Sequence, residues 1–149
     1  MSKNNEIGIS IEKINEISFY AKPLPMPIEE IHLGVNLLFG LGFSFDINLK
    51  SEKVIFNTVV KYQIKDIEEP VLQLENEIIF HIQNLKEVIK IKKDNEMDVE
   101  NNFLITLTGV AIGTLRGMLA ANTKSTQWAN FPLPLLNPQQ VIQEMNPNK

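Results

Sequence analysis

Four runs of alternating apolar and polar residues constrain the fold of this chain more than any other feature. They cover residues 7–21, 38–50, 54–66 and 71–84. The second run is the clearest, because every other residue from Phe39 to Leu49 is apolar. A period of two is typical of strands in a sheet with one face covered. In the first run Lys13 and Ile14 interrupt the alternation, which predicts a β-bulge.

The connections between the runs indicate their order. The short segments 50–53 and 66–70 predict antiparallel hairpins, whereas the prolines at 23, 25 and 27 predict an extended crossover between the first two strands. Segment 85–93 fits either a bulged extension of the fourth strand or a short helix.

A long helix is predicted over residues 98–122, with Asp98 as its N-cap. Its interior glycines, Gly109, Gly113 and Gly117, each cost about 0.8–1.0 kcal/mol relative to alanine. Their spacing of four places them along one side of the helix, where another backbone can approach closely. We expect self-association of this helix in preference to packing on its own sheet. Asn137 and Pro138 predict the start of a short final helix through Met145. Together these elements predict an α+β fold.

Composition excludes several classes of protein. The 149 residues fit a single domain, 1–149, and the absence of cysteine excludes disulfides, thiolate catalysis and cysteine-ligated zinc. A net charge of −4 argues against a nucleic-acid partner. The lysine cluster at 86, 90, 92 and 93 is expected to be a solvated face. The first six residues lack the apolar stretch of a secretory signal, so a cytoplasmic location is expected.

Residues 103–121 are a candidate membrane span, because they are mostly apolar and carry a G-x-x-x-G repeat. Arg116 lies inside this segment, and a charge near the middle of a span costs about 2.5–3.5 kcal/mol. Four strands also precede it. No membrane insertion is expected.

The chain offers little for catalysis. His32 and His81 are far apart in sequence, the pairs at 29–30 and 68–69 are explained as solvated carboxylates, and no metalloprotease, nucleophile-elbow or P-loop motif is present. We predict no catalytic residue, no metal site and no cofactor.

The order of these features resembles the SecB family of bacterial export chaperones. The resemblance comprises Ser10 to Ile14, Ile17 to Phe19, the proline-rich crossing, the long helix, Phe131-Pro132 and the Leu-Asn-Pro that begins the last helix. It extends over nearly the whole chain. It implies a homotetramer, built as a dimer of dimers with long helices between sheets, that holds unfolded client polypeptides without ATP.

The resemblance also implies an acidic patch on the open sheet face that docks the translocase motor. Glu16 occupies one matching position, but Tyr20 and His81 stand where further acids are expected, and residues 146–149 do not resemble the metal-binding tail of many export chaperones. These departures argue against docking to the motor and favour another partner, such as a toxin–antitoxin system.

Client binding requires exposed apolar surface. The candidates are Phe39, Phe43, Phe45, Trp128, Phe131, Leu133 and Leu135. For the strand residues Phe39, Phe43 and Phe45, a place in the core is favoured over exposure. Trp128 could lie at the lip of a groove, and its replacement together with Phe131 by alanine would then weaken binding without changing far-UV circular dichroism. A small-ligand carrier or scaffold on the same fold is the alternative function.

Overall fold

The computed structural model describes residues 6–145 and has the predicted α+β architecture. The main sheet consists of four strands, and a small hairpin and two helices follow it. The elements are β1 Gly8–Ala21, β2 Leu37–Asn48, β3 Lys53–Ile64, β4 Leu72–Gln83, β5 Ile89–Ile91, β6 Met97–Val99, α1 Asn101–Thr123 and α2 Pro138–Met145.

The main sheet is antiparallel throughout, with the strand order β1-β4-β3-β2. The two predicted hairpins join β2 to β3 and β3 to β4, and the proline-rich crossover carries the chain from one edge of the sheet to the other. The predicted irregularity in β1 is confirmed, because its register with β4 shifts between Ile11 and Lys13 and again between Glu16 and Ser18. Both β1 and β2 are edge strands.

The core lies between the sheet and α1. Alternate residues of β3 and β4 are buried, and Leu107, Leu115 and Leu119 of α1 are buried on the same side. One apolar cluster surrounds Tyr62 and the other surrounds Phe56. Each fully buried side chain of this size contributes about 1.5–3 kcal/mol, so this layer holds α1 on the sheet.

Two local predictions need correction. Asp98 lies in β6 and does not cap α1, because residues 97–99 pair with β5 before the helix begins. Glu100 precedes the helix without a side-chain capping bond. Segment 85–93 contains a single 3₁₀ turn followed by β5. The start of α2 is as predicted, since Asn137 Oδ1 accepts a bond from the Gln139 N–H at 3.0 Å.

The predicted glycine stripe of α1 points away from the core. A methyl group at Gly109 would lie 3.5 Å from Pro138 of α2, whereas one at Gly113 or Gly117 would meet no atom within 4 Å. By length and composition α1 could cross a membrane, with a mean hydropathy of 1.6 over an 18-residue window that is 39% buried. Core helices of soluble proteins pass the same test, and the buried side of α1 packs on the sheet.

Candidate functional site

An apolar depression lies between the edge strand β2 and the C-terminal helix α2. We call it the β2 groove. Its cavity of about 430 Å³ lies within the range of ligand pockets. One wall belongs to the strand and the other to the end of the chain. The lining residues are Phe39, Gly40, Leu41, Phe43, Leu136, Val141 and Glu144.

The strand wall results from the register of β2 with β3. Phe39 lies opposite Tyr62, and Phe45 lies opposite Phe56, so their side chains emerge on the core side of the sheet. Phe45 does not line the groove; its ring stacks on Phe56 at a centroid distance of 5.8 Å, and 37% of the residue remains exposed. Phe43 is half-buried and meets Phe56 edge to face. These rings therefore contact the core on one side and solvent on the other.

The opposite wall is fixed by two polar anchors. Arg116 of α1 donates from Nε to the Leu133 carbonyl at 3.1 Å and from Nη2 to the Pro134 carbonyl at 2.7 Å. The Tyr62 hydroxyl donates to the Phe131 carbonyl at 2.7 Å. Burial raises the pKa of Tyr62 from 10.0 to about 12. The proline-rich segment before α2 is thus tied to both the helix and the sheet.

A second depression lies on the other face of the same strand. We call it the glycine hollow, because Gly40 and Gly42 leave β2 without side chains there. Its volume is about 360 Å³, and Val59, Lys61 and Gln63 of β3 line it with the strand. Within residues 6–145 the Lys61 side chain makes no hydrogen bond and no ion pair. The edge of β2 therefore has a recess on each face.

Three of the predicted binding residues belong to the core. Trp128, Phe131 and Leu133 are only 4%, 8% and 3% exposed. Trp128 packs against Tyr62 and Phe131, and its indole N–H donates to the Lys22 carbonyl at 2.8 Å. Replacing Trp128 and Phe131 by alanine would therefore destabilise the fold, since each such deletion costs about 3–5 kcal/mol. Because both side chains belong to the core, we now expect the circular dichroism of the double variant to change.

The position of Trp128 near a recess is partly as expected. It borders a hollow of about 390 Å³ with Lys22, Pro23 and Leu24 of the crossover. Leu135 is 91% exposed and does not line the β2 groove. Its role in binding stays a prediction.

Glu16 lies on a different face from the one expected. It pairs with Asn76, whose side chain is buried beneath α1, so Glu16 emerges on the α1 side at the β1 edge. There its carboxylate accepts a hydrogen bond from Asn122 of α1. A docking role for Glu16 stays a prediction, but the open sheet face does not carry this carboxylate.

Within residues 6–145 no group of three or more acidic or histidine side chains could hold a metal ion. His32 is exposed in the connection before β2, and His81 is half-buried in β4.

Sequence reasoning missed the groove residues Leu41, Leu136 and Val141. Leu41 follows the same alternation as Phe39 and Phe43, and this pattern could have identified it. The two residues at the end of the chain come from nonlocal packing of α2 against β2, for which the sequence carries no local signal.

No family model and no curated protein sequence matches the chain. Solved structures do match it. The Mycobacterium tuberculosis Rv1957 SecB-like chaperone, in complex with a ChAD peptide from the Rv1956 HigA1 antitoxin, is 12% identical with a TM-score of 0.49; the match covers 87% of this chain and 86% of that chain. A protein of unknown function from Streptococcus agalactiae is 13% identical with a TM-score of 0.38, covering 88% and 98%. The structures that are similar to this chain thus include a SecB-like chaperone.

Proposed function

We propose that this protein is an ATP-independent chaperone that holds unfolded segments of other polypeptides in the β2 groove. The observation that carries the proposal is the open apolar cavity of about 430 Å³ in which Phe39, Leu41 and Phe43 face Val141 across the groove. Aromatic rings packed on the core at their inner edge give a firm surface that accepts many side chains without specific hydrogen bonds.

The energetics suit a holdase. A dissociation constant of about 1 μM corresponds to about −8.2 kcal/mol. Each large apolar client side chain buried in the groove contributes about 1.5–3 kcal/mol, so a few side chains are sufficient after the cost of ordering the client. A native protein has already buried these side chains and should not bind.

We also propose that the chain self-associates, as a homotetramer in the cytoplasm. Arg116 is the only charged residue of α1, and its guanidinium is turned to the Leu133 and Pro134 carbonyls. The outward side of α1 is therefore a row of small uncharged residues, including Gly113 and Gly117, which supports close contact with another helix. The sequence resemblance suggests that the clients belong to an export or a toxin–antitoxin pathway. Docking to the translocase motor is not part of the proposal.

The function can be tested with reduced, carboxymethylated α-lactalbumin, which stays unfolded, and with its native form. We expect the unfolded form to bind with micromolar affinity in the absence of ATP, and the native form not to bind. Phe43→Gln and Val141→Glu change opposite walls of the groove, so each should weaken binding about tenfold as measured by calorimetry.

Ile91→Gln is the control, because Ile91 is 63% exposed on β5 and the substitution removes apolar surface outside the groove. It should leave binding unchanged. If unfolded α-lactalbumin does not bind at all, or if Ile91→Gln weakens binding as much as the groove variants, the proposal fails. A single small compound that co-purifies with the wild type and is lost in Val141→Glu would instead support the carrier alternative.

A further inference from the structure

The two edge strands of the sheet differ in how they are protected. β1 carries Glu12, Lys13 and Glu16 and has two register shifts, which are features that discourage pairing with another strand. β2 pairs with β3 without a shift over Leu37–Asn48 and has Asp46 as its only charge. Within the described part of the chain, no strand covers the outer edge of β2 beyond the single bridge between Leu33 and Leu37. This edge is regular and open.

The backbone groups that face the open edge belong to the groove residues. The Asn36 carbonyl accepts from the Lys65 N–H at 2.8 Å, toward β3, whereas the Leu37 carbonyl accepts from Gly34 at 2.8 Å, on the outer side. Successive residues of a strand turn their N–H and C=O groups to opposite edges. Phe39, Leu41 and Phe43 therefore present their backbone donors and acceptors to solvent, beside the β2 groove.

A strand added to this edge would meet a recess on each face. In an antiparallel pair, directly opposite residues share a face with Cβ atoms about 4.5–5.5 Å apart. Side chains opposite Phe39, Leu41 and Phe43 would enter the β2 groove, which is apolar. The alternate side chains would lie over Gly40 and Gly42 in the glycine hollow.

The positive charge of Lys61 in the glycine hollow favours acidic side chains at the alternate positions of the added strand. Lys61 lies opposite Gly40 in the register, so two strand spacings, about 10 Å, separate its Cα from that of the added residue. Gly40 has no side chain between them, and an extended lysine and a glutamate together span this distance. An acidic side chain in the added strand would thus reach the Lys61 ammonium group.

We propose that an extended client segment with alternating apolar and acidic residues adds as an antiparallel strand to the free edge of β2. Its apolar residues occupy the β2 groove and its acidic residues face Lys61. The inference rests on the proposed function and specifies how the groove recognises its client. Main-chain hydrogen bonds supply affinity independent of side-chain identity, and the two recesses supply selectivity.

A second copy of the chain fits this edge less well. Symmetric pairing of two β2 strands would bring the Leu136 and Val141 wall of each copy against that of the other, because an isologous contact uses the same patch twice. A single extended chain carries no such wall.

The test uses a fluorescein-labelled ten-residue peptide with phenylalanine or isoleucine at alternate positions and glutamate between them. Two analogues carry backbone N-methyl groups, one on the apolar residues and the other on the glutamates. Antiparallel addition points the N–H groups of the apolar residues at β2. Methylation there should weaken binding at least tenfold by fluorescence anisotropy, whereas methylation of the glutamates should change it less than about twofold.

A charge exchange tests the glycine hollow. Lys61→Glu should weaken binding of the glutamate peptide about two- to fivefold at low salt and strengthen binding of a peptide with lysine at the same positions. Lys93→Glu, an exposed change of the same charge in the β5–β6 turn, should do neither.

The outcomes separate the two proposals. Equal loss from both methylated analogues, or loss confined to methylated glutamates, overturns antiparallel strand addition but leaves the chaperone function standing. A dimer that the parent peptide dissociates would show that a second copy occupies the edge, which also overturns the inference. Failure of both the peptide and unfolded α-lactalbumin to bind would overturn the proposed function itself.

Discussion

Tyr62 shows how a single buried polar residue holds the groove in place. Its ring belongs to the core beside Trp128, with a centroid distance of 6.1 Å, while its hydroxyl donates to the Phe131 carbonyl at 2.7 Å. A buried carbonyl without a donor would cost about 1–3 kcal/mol, so the hydroxyl fixes the path of the chain toward α2. The same burial makes ionisation of Tyr62 unfavourable, and its pKa rises from 10.0 to about 12.

Tyr62→Phe should lower the free energy of unfolding by about 1–3 kcal/mol at neutral pH, because it leaves the Phe131 carbonyl unpaired. Since the folded-state pKa is raised, the contribution of Tyr62 is complete below pH 10 and is lost as pH rises from 10.0 to about 12. The stability difference between wild type and variant should therefore shrink over that window, measured by urea unfolding. Tyr20→Phe, at an exposed tyrosine, is the control for loss of a phenolic hydroxyl and should change the free energy of unfolding little at neutral pH.

At the scale of elements, the strands could be predicted from the sequence because their alternation and turns are local. The four predicted runs agree with β1 to β4 within a few residues at each end. The start of α1 could not be predicted from the sequence, because β6 pairs with β5 and this pairing places Asp98 in a strand. The exposure predicted for Trp128 is wrong for a similar reason. A polar loop and prolines next to it favour exposure, but nonlocal packing against Tyr62 buries the side chain. Of the β2 groove, the strand wall could be predicted from the sequence, whereas the wall formed by the end of the chain could not.

Arg116→Met should loosen the α2 wall without disturbing the sheet. The substitution removes the donors to the Leu133 and Pro134 carbonyls, and hydrogen bonds from a charged group contribute about 1.5–3 kcal/mol each. We expect faster hydrogen exchange over residues 133–145, unchanged exchange in β3, and weaker binding of unfolded α-lactalbumin by about three- to tenfold. Lys124→Met removes a positive charge just after α1 and should change neither. Unaltered exchange in Arg116→Met would show that the prolines alone fix this wall.

At the scale of the whole molecule, one side of the described chain is apolar and uncovered. Ile9, Ile11 and Ile14 of β1 lie opposite buried residues of β4, on the α1 side of the sheet, yet all three are exposed. The contact between Glu16 and Asn122 brings this strand beside the C-terminal end of α1. The isoleucines thus form exposed apolar surface on the same side of the sheet as α1, and a surface of this kind supports an interface between copies.

Gly113→Leu should prevent the proposed assembly while leaving the fold intact. A methyl group at Gly113 would meet no atom within 4 Å, so a larger side chain is tolerated by the single chain and obstructs only a second helix. Gly113→Ala is the graded control: it should stabilise an isolated chain by about 0.8–1.0 kcal/mol through helix propensity, and should weaken assembly less than leucine does.

Multi-angle light scattering at about 50 μM, near the concentrations at which weak oligomers form, measures the mass of each variant. A wild-type monomer under these conditions would contradict self-association, and equal masses for wild type and Gly113→Leu would place the interface elsewhere than on the glycine face of α1.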